Sequence, residues 1–185
     1  LRIDGVGRRL LGRIDGLDDR ELLRFRCIRE ATPADLLRAW IEHLAVGVAA
    51  PGPRRRTRLI TENEAWWLEP ALDPAAHLAD LVALHARGSI VPLPIFARSS
   101  HAFAVQAHEQ RDPRSRSRRS PLDRARDVFT GRDRDPTHDG APPEAENPSV
   151  RLAFRGVDPL DDPAFGPLAE RLWRPLLDHL KEARV

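Results

Sequence analysis

The segment from Thr32 to Val48 carries the most definite helix pattern in the chain. Thr32 can cap a helix, Pro33 suits its first position, and Asp35 lies where an acid faces the positive end of the helix. Residues 51–53, Pro-Gly-Pro, end it. Apolar residues between these limits recur at helical spacing and form one stripe: Leu37, Trp40, Ile41, Leu44 and Val48.

Strand patterns flank this helix on both sides. Residues 8–17 and 21–28 are predicted to form an opening β-hairpin, because polar and apolar side chains alternate around a charged turn. The stretch "RTRLITENEAWWLEP" predicts two strands around a turn from Glu62 to Glu64, and "VRLAFRG" predicts a later strand. The order of elements indicates a mixed α/β (α+β) domain with a central sheet and flanking helices.

Further helices are predicted along the chain. Residues 73–88 begin with a capping Asp and a proline, and short helices are expected in "HAFAVQAHEQ" and over 122–129. The final helix is expected over 162–183, where Pro175 should kink or split it. The inner face of the helix over 73–88 is predicted to consist of Leu78, Leu81, Val82 and His85.

Composition bounds the classes of function. The net charge of +2 over 185 residues means that the chain as a whole is not a strong binder of polyanions. The single Cys27 excludes an internal disulfide and an all-cysteine metal or iron–sulfur site, and suits a reducing cytoplasm. No apolar run approaches the roughly 18–20 residues of a membrane span. Because the chain contains no methionine, even at position 1, we expect a fragment of a longer protein that lacks an N-terminal partner domain.

Common catalytic motifs are missing from the sequence. It contains no G-x-x-x-x-G-K-[ST] phosphate loop, no G-x-S-x-G nucleophile motif and no H-E-x-x-H zinc motif. The histidines are scattered, and His43 beside the apolar stripe is expected to be packed or to lie on the helix surface. We therefore expect neither a cofactor nor a metal ion in this domain.

The predicted opening hairpin carries one acid and two arginines. Asp15 lies near the end of the first strand, and Arg24 and Arg26 alternate along the second. Two guanidinium groups would repel Mg²⁺, and a single carboxylate is a poor ligand set. The simplest interpretation is a salt bridge across the two strands on a half-exposed sheet. Contact with phosphate or with a partner protein is an alternative, and live metal chemistry is another.

A basic segment follows in "RDPRSRSRRS", which contains no apolar side chain. We predict that residues 111–149 form a loop or disordered insertion that includes this segment. Flexible arginines can attract phosphate backbones non-specifically, although a solvated loop would have the same composition. No aromatic residue is interleaved, so base stacking is not supported. The candidate contact residues are Arg111, Arg114, Arg116, Arg118 and Arg119.

The adjacent pair Trp66-Trp67 lies within a predicted strand. Neighbouring strand residues face opposite sides of a sheet. One of the two indole rings should therefore occupy a second buried surface, against the C-terminal helix or against a missing domain or subunit.

A set of segments in order resembles a known family. "GRRLLGRIDGL", "LLRFRC", "LLRAWIEHLAVGVAA", "PLPIFARSSHAFA" and "DPLDDPAFGPLAERLWRPLLDHL" are together similar to the C-terminal domain of RecC, the gamma subunit of bacterial exodeoxyribonuclease V (RecBCD). The resemblance runs from about Gly7 to Lys181 and is weakest over 111–148. On this basis we predict one domain over residues 1–185.

The resemblance implies a fold related to the PD-(D/E)XK nucleases. Active relatives carry a "G-x-x-D-R-x-D" strand, an Asp-x-Lys strand and a "Q-x-x-x-Y" helix. On that pattern Asp15 falls near the first acid, and Arg24 and Arg26 fall where the second acid and the lysine would lie. The helix motif is missing from "LLRAWIEHL". The resemblance thus implies a degenerate, non-catalytic nuclease domain.

The implied function is a cytoplasmic subunit domain of an ATP-dependent helicase–nuclease in double-strand break repair and recombination. Its implied partners are RecB-like and RecD-like subunits and DNA, with no membrane. One alternative is an active PD-(D/E)XK nuclease that uses Glu21, Glu30 or Glu42 beside Asp15. Another is a basic RNA-binding module built on the Arg/Ser segment. A related AddB-like subunit would need a cysteine set for an iron–sulfur cluster, which one cysteine cannot supply.

Overall fold

The computed structural model describes residues 2–3, 9–50, 55–115, 117–132 and 142–183. Two compact units divide the chain: one comprises Leu1–Ser89 with Asp178–Val185, and the other comprises Ile90–Leu177. The described residues contain a four-stranded sheet and six α-helices, which confirms the predicted mixed α/β class. None of the helices in this part of the chain is long and apolar enough to cross a membrane.

The first unit is built on the sheet. Its strand order is β3-β4-β5-β6, in which β3 and β4 are parallel and the other pairs are antiparallel, while β1 and β2 form a separate antiparallel pair. The helix α1 is the crossover that a parallel pair requires. The elements are β1 (Arg2–Ile3), β2 (Leu10–Leu11), β3 (Glu21–Phe25), α1 (Pro33–Ala49), β4 (Arg56–Ile60), β5 (Ala65–Leu68), α2 (Pro74–Gly88) and β6 (Leu180–Ala183).

The predicted hairpin of residues 8–17 and 21–28 is wrong. Its first strand is reduced to β2, which pairs with β1, and β3 pairs with β4 instead. Among the residues described there, a single antiparallel bridge, Leu17 with Leu22, joins the two segments. Gly16 adopts a left-handed φ of 72°, and its carbonyl accepts the Leu23 N–H at 2.8 Å, so the chain turns without continuing the ladder.

Both well-marked helices of this unit are confirmed, but their buried faces differ from the predicted ones. Thr32 and Asp35 form a reciprocal capping box at α1, and Asp73 caps α2. On α1, Trp40 and Leu44 are buried as predicted, but Ile41 is exposed. The buried positions of α1 that the stripe omitted are Asp35, Leu36, Ala39, His43, Ala45 and Val46.

The buried face of α2 also differs from its prediction. Leu78 is buried as expected, whereas Leu84 is buried in place of His85, which is exposed. The antiparallel pair β4–β5 with its turn over residues 62–64 is confirmed.

The second unit is helical. Its core cluster combines Phe96, Ala125, Phe129, Leu160 and Phe165, and α3 packs against α4. Its helices are α3 (Ala97–Glu109), α4 (Pro121–Thr130), α5 (Pro148–Phe154) and α6 (Phe165–His179), with 3₁₀ turns at Glu144–Glu146 and Pro159–Asp161. The last two residues of α6, Asp178 and His179, belong to the first unit. The described part of 111–149 thus contains α4, one 3₁₀ turn and the first two residues of α5, and an insertion there stays a prediction.

Two predicted elements toward the end of the chain are wrong. Residues 150–154 of "VRLAFRG" lie in the helix α5, because the Asn147 side chain accepts the Ser149 N–H and Pro148 occupies the first helical position. The final helix ends at His179 despite Pro175 in its interior, and residues 180–183 form β6. Residues 180–183 pair with the edge of β5, because tertiary pairing overrides the helical periodicity of the sequence.

Candidate functional site

The turn before β3 places Asp15 next to an arginine of its own segment. Its carboxylate binds Arg13 with an Nε–Oδ1 distance of 2.8 Å, and both side chains are largely exposed. Arg24 reaches this turn through Nη1, which donates to the backbone carbonyl of Asp15 rather than to its carboxylate. The predicted cross-strand salt bridge from Asp15 to Arg24 or Arg26 is therefore wrong.

Both strand arginines are held by acids of α1. Arg24 forms a part-buried ion pair with Glu42, and Arg26 Nε lies 2.8 Å from Asp35 Oδ1. The Asp35 carboxylate also accepts from the Thr32 hydroxyl at 2.6 Å, so Arg26 is tied to the helix cap. The sequence could not show these pairs, since strand and helix meet only after the crossover is formed.

Each of the three glutamates that an active nuclease would use beside Asp15 has an interaction partner in the structure. Glu42 binds Arg24, Glu21 Oε1 lies 3.9 Å from Arg58 Nη1, and Glu30 also takes part in an interaction. In the part of the chain that the structure describes, no three His, Cys, Asp or Glu side chains converge as a metal site.

A carboxylate closes the turn that leads into β3. Asp18 Oδ1 accepts the backbone N–H groups of Arg20 and Glu21, both at 2.7 Å. These hydrogen bonds, that of Glu21 foremost, lower the pKa of the Asp18 carboxyl below its ordinary value. Asp18 therefore stabilises the turn that leads into β3, which is a structural role.

The Arg/Ser segment forms several hydrogen bonds and ion pairs with other residues of the second unit. Gln106 donates to the Ser117 hydroxyl and Gln110 to the Arg119 carbonyl, both at 2.7 Å. Arg111 lies 2.8 Å from Glu170, and Arg119 pairs with Asp127.

Two other arginines of the Arg/Ser segment form no such ion pair with a described acid. Arg114 and Arg118 are exposed and have no acidic partner among the described residues. Arg116 lies outside the described residues. The candidate arginines that the structure describes thus form two groups, those paired with an acid and those without an acidic partner among the described residues. Composition alone could not distinguish the two groups.

An open sheet face was missed by the sequence analysis. Leu23, Arg58, Trp67 and Lys181 are aligned across β3, β4, β5 and β6, and Phe25 lies on the same face at the end of β3. The Arg58 guanidinium lies 4.7 Å from the centroid of the Trp67 ring. Phe25 is 64% exposed and Leu23 41% exposed, so this face of the edge strand β3 leaves two large apolar side chains open to solvent.

The tryptophan pair faces both sides of the sheet as predicted. Trp66 aligns with Leu59 on the opposite face to Trp67, and both rings are half-buried. The alternation of "LLRF" and "RTRLI" could have indicated the open face, had the parallel pairing of β3 with β4 been known.

Three imidazoles surround Trp40 in the first unit. Its ring centroid lies 5.5 Å from His43, 5.9 Å from His77 and 5.3 Å from His179. His43 Nδ1 is 2.9 Å from the Thr57 hydroxyl. Burial, with a smaller contribution from His179, lowers the pKa of His43 to about 4, although Glu69 acts in the opposite direction. His43 is thus a packed, neutral core residue. Of the two expectations for it, packing is confirmed and a position on the helix surface is not.

Residues 1–108, which include β3, α1, β4, β5 and α2, match the family model of the RecC C-terminal domain. The match covers more than half of the 185 residues, and the chain belongs to this family. Membership confirms the resemblance and implies, in general terms, a subunit of RecBCD, exodeoxyribonuclease V, with a broad role in DNA repair. No curated protein sequence matches the chain significantly.

Proposed function

We propose that this chain is a non-catalytic domain of a RecC-type subunit, which contacts RecB-like and RecD-like subunits and DNA strands. Its fold would be a degenerate PD-(D/E)XK nuclease domain. The observation that carries this proposal is the state of Arg24 and Arg26, at the strand positions where the resemblance places an acid and a lysine. Each guanidinium is neutralised by an acid of α1, Glu42 or Asp35.

Such paired arginines suit a structural role better than metal chemistry. A cation between Asp15 and β3 would meet two positive groups, and the Asp15 carboxylate already binds Arg13. The former catalytic strand would then serve to fasten the sheet to α1. The proposed nuclease-like fold would then lack a nuclease site.

A cleavage assay tests the loss of catalysis. The purified chain is incubated with linear duplex and single-stranded DNA in Mg²⁺ or Mn²⁺, beside Asp15→Ala and the matched turn variant Asp19→Ala. We expect no cleavage by any of the three proteins. Metal-dependent cleavage that Asp15→Ala abolishes and Asp19→Ala retains would contradict the proposal.

The DNA contact is supported by the Arg/Ser segment. Arg114 and Arg118 are the exposed guanidinium groups there whose charge no described acid neutralises. Phosphate contacts release counterions, so each one contributes about 0.7 to the slope of log affinity against log salt for a single strand.

A pair of double variants tests this contact. Arg114→Gln with Arg118→Gln should reduce binding of a fluorescein-labelled 20-residue oligothymidylate and lower the salt slope by about 1.4. Arg111→Gln with Arg119→Gln removes the same charge from engaged arginines and should change the slope less. Equal effects of the two pairs would show that only net charge matters. Deleting 111–120 separates this model from a basic RNA-binding module, in which all nucleic-acid binding would be lost with the segment.

The partner contact is supported by the open sheet face. Exposed Phe25 and Leu23 beside the Arg58–Trp67 pair have the aromatic and arginine character that marks the centre of protein interfaces. Co-expression with the RecB-like and RecD-like subunits, followed by co-purification, tests it. Phe25→Glu should abolish assembly, whereas Leu72→Glu, a change at another exposed apolar residue of the same unit, should not. Assembly unaffected by Phe25→Glu would remove this face from the interface.

A further inference from the structure

A groove in the second unit lies outside the residues that match the family. It has a volume of about 710 Å³ and runs along α5 and the turn that follows it. Phe129 and Phe154, which belong to or pack against the core cluster, form part of its lining. Leu152 is 73% exposed and Val157 69% exposed at the same groove. Apolar surface of this kind on both lining and rim is typical of a site that another molecule covers.

Two arginines make the groove positive. Arg151 and Arg155 line it, and both side chains are exposed. Neither guanidinium has an acidic partner among the described residues. Asp158, the one acid among the described lining residues, is engaged, because its side chain accepts the Leu160 N–H at 2.9 Å. The Asp158 carboxylate keeps its charge, so the groove combines apolar surface with two guanidinium groups and one carboxylate, and its described lining is net positive.

The backbone at Arg155 supports a functional reason for that residue. It adopts a left-handed φ of 47° where α5 ends, a conformation in which glycine would be unstrained. Gly156 follows with a φ of 86°. An arginine in this strained conformation motivates the hypothesis that its side chain has a role beyond the turn.

We propose that this groove binds a segment of a partner protein in which apolar side chains alternate with carboxylates. The apolar side chains would cover Phe129, Phe154, Leu152 and Val157, and the carboxylates would pair with Arg151 and Arg155. Nucleic acid fits less well, because an apolar lining offers no partner to phosphates or sugars beyond the two rim charges. The inference relies on the proposed function only for the identity of the partner as a subunit of the helicase–nuclease.

A peptide pair tests the chemistry of the groove without the complex. A fluorescein-labelled ten-residue peptide with three leucine or phenylalanine and three glutamate residues is titrated with the whole chain and followed by anisotropy. The control peptide has lysine for each glutamate. We expect the acidic peptide to bind about tenfold more tightly. The double variant Arg151→Gln with Arg155→Gln should remove that preference, and Arg151→Lys with Arg155→Lys should retain most of it.

Several results would overturn the proposal. Equal binding of the two peptides, or a preference that survives the double glutamine variant, would show that the groove does not select acidic segments. Displacement of the acidic peptide by the oligothymidylate, with loss of oligothymidylate binding in the same variant, would assign the groove to nucleic acid.

Photo-crosslinking in the assembled complex identifies the occupant. Benzoylphenylalanine at Leu152 should crosslink to a segment of the RecB-like or RecD-like subunit that contains acidic and apolar residues. The same group at Ile90, which is 83% exposed but not in the groove, is the control. Crosslinks to DNA or to a second copy of this chain, or none in a complex that does assemble, would contradict the inference. Failure of assembly itself would count against the proposed function, while the peptide pair still decides the chemistry of the groove.

Discussion

At the scale of single residues, two adjacent serines in α3 show how a buried hydroxyl is used or left unused. Ser99 and Ser100 are both fully buried. The Ser100 hydroxyl accepts the Trp173 indole N–H at 2.9 Å and donates to the Phe96 carbonyl. The Ser99 hydroxyl has no hydrogen-bond partner among the described residues. The pair therefore separates the effect of a satisfied hydroxyl from that of burial itself.

Ser100→Ala should destabilise the second unit by about 1–3 kcal/mol, because it leaves the buried Trp173 N–H without an acceptor. Ser99→Ala is the matched control, and we expect it to be neutral or slightly stabilising, since it removes an unpaired polar group. Urea unfolding followed by tryptophan fluorescence measures both free energies. Equal losses in the two variants would mean that the Trp173–Ser100 bond contributes nothing.

At the scale of elements, the ends of α4 and α5 depend on left-handed residues. Gly131 ends α4 with a φ of 76°, and a Cβ there would lie 2.6 Å from Pro143 Cγ. Gly156, after α5, has a φ of 86°, but a Cβ there would meet no atom within 4 Å. The two glycines thus share the backbone requirement and differ in the space around them.

Gly131→Ala should cost more stability than Gly156→Ala. Left-handed strain alone should cost roughly 1–2 kcal/mol at each position. The contact with Pro143 should add to this at Gly131 only, since a proline ring cannot move out of the way as a flexible chain end can. Chemical unfolding of both variants gives the comparison, and equal losses would mean that Pro143, which precedes the 3₁₀ turn, shifts freely.

At the scale of the whole molecule, each unit contains a histidine whose neutral form is favoured, buried in the case of His43 and half-buried in the case of His101. His43 in the first unit and His101 in the second both have their pKa lowered to about 4, chiefly by burial. His101 lies beside the Trp173 ring at 4.8 Å. Because these values are below the ordinary 6.5, the unfolded chain binds protons more tightly than the folded chain does. Their contribution to stability is complete above pH 6.5 and is lost as the pH falls to about 4.

His43→Gln should reduce the pH dependence of stability. For the native protein, protonation linked to His43 should lower the free energy of unfolding by about 2 kcal/mol between pH 7 and pH 5. Urea unfolding at the two pH values measures the difference, which should shrink by that amount in the variant. His85→Gln, at an exposed position on α2, is the control. An unchanged difference in His43→Gln would show that His43 is not the linked group.

Local chemistry made part of this molecule predictable from its sequence. The caps at Thr32 and Asp73, the prolines that follow them and the polar turn over residues 62–64 act within a few residues, so α1, α2 and the β4–β5 pair were predicted correctly. The family was also recognisable from the sequence, and its model matches residues 1–108.

Tertiary pairing decided the rest. The backbone of β3 could pair either with the segment that precedes it or with β4. It pairs with β4, so the predicted hairpin does not form. Residues 180–183 continue a helical pattern, yet the edge of β5 draws them into the sheet. The partners of Arg24 and Arg26, and the apolar groove along α5, exist only because distant segments meet. Sequence fixes what each segment can do alone, whereas which strand edge and which acid it meets depends on the packing of the whole chain.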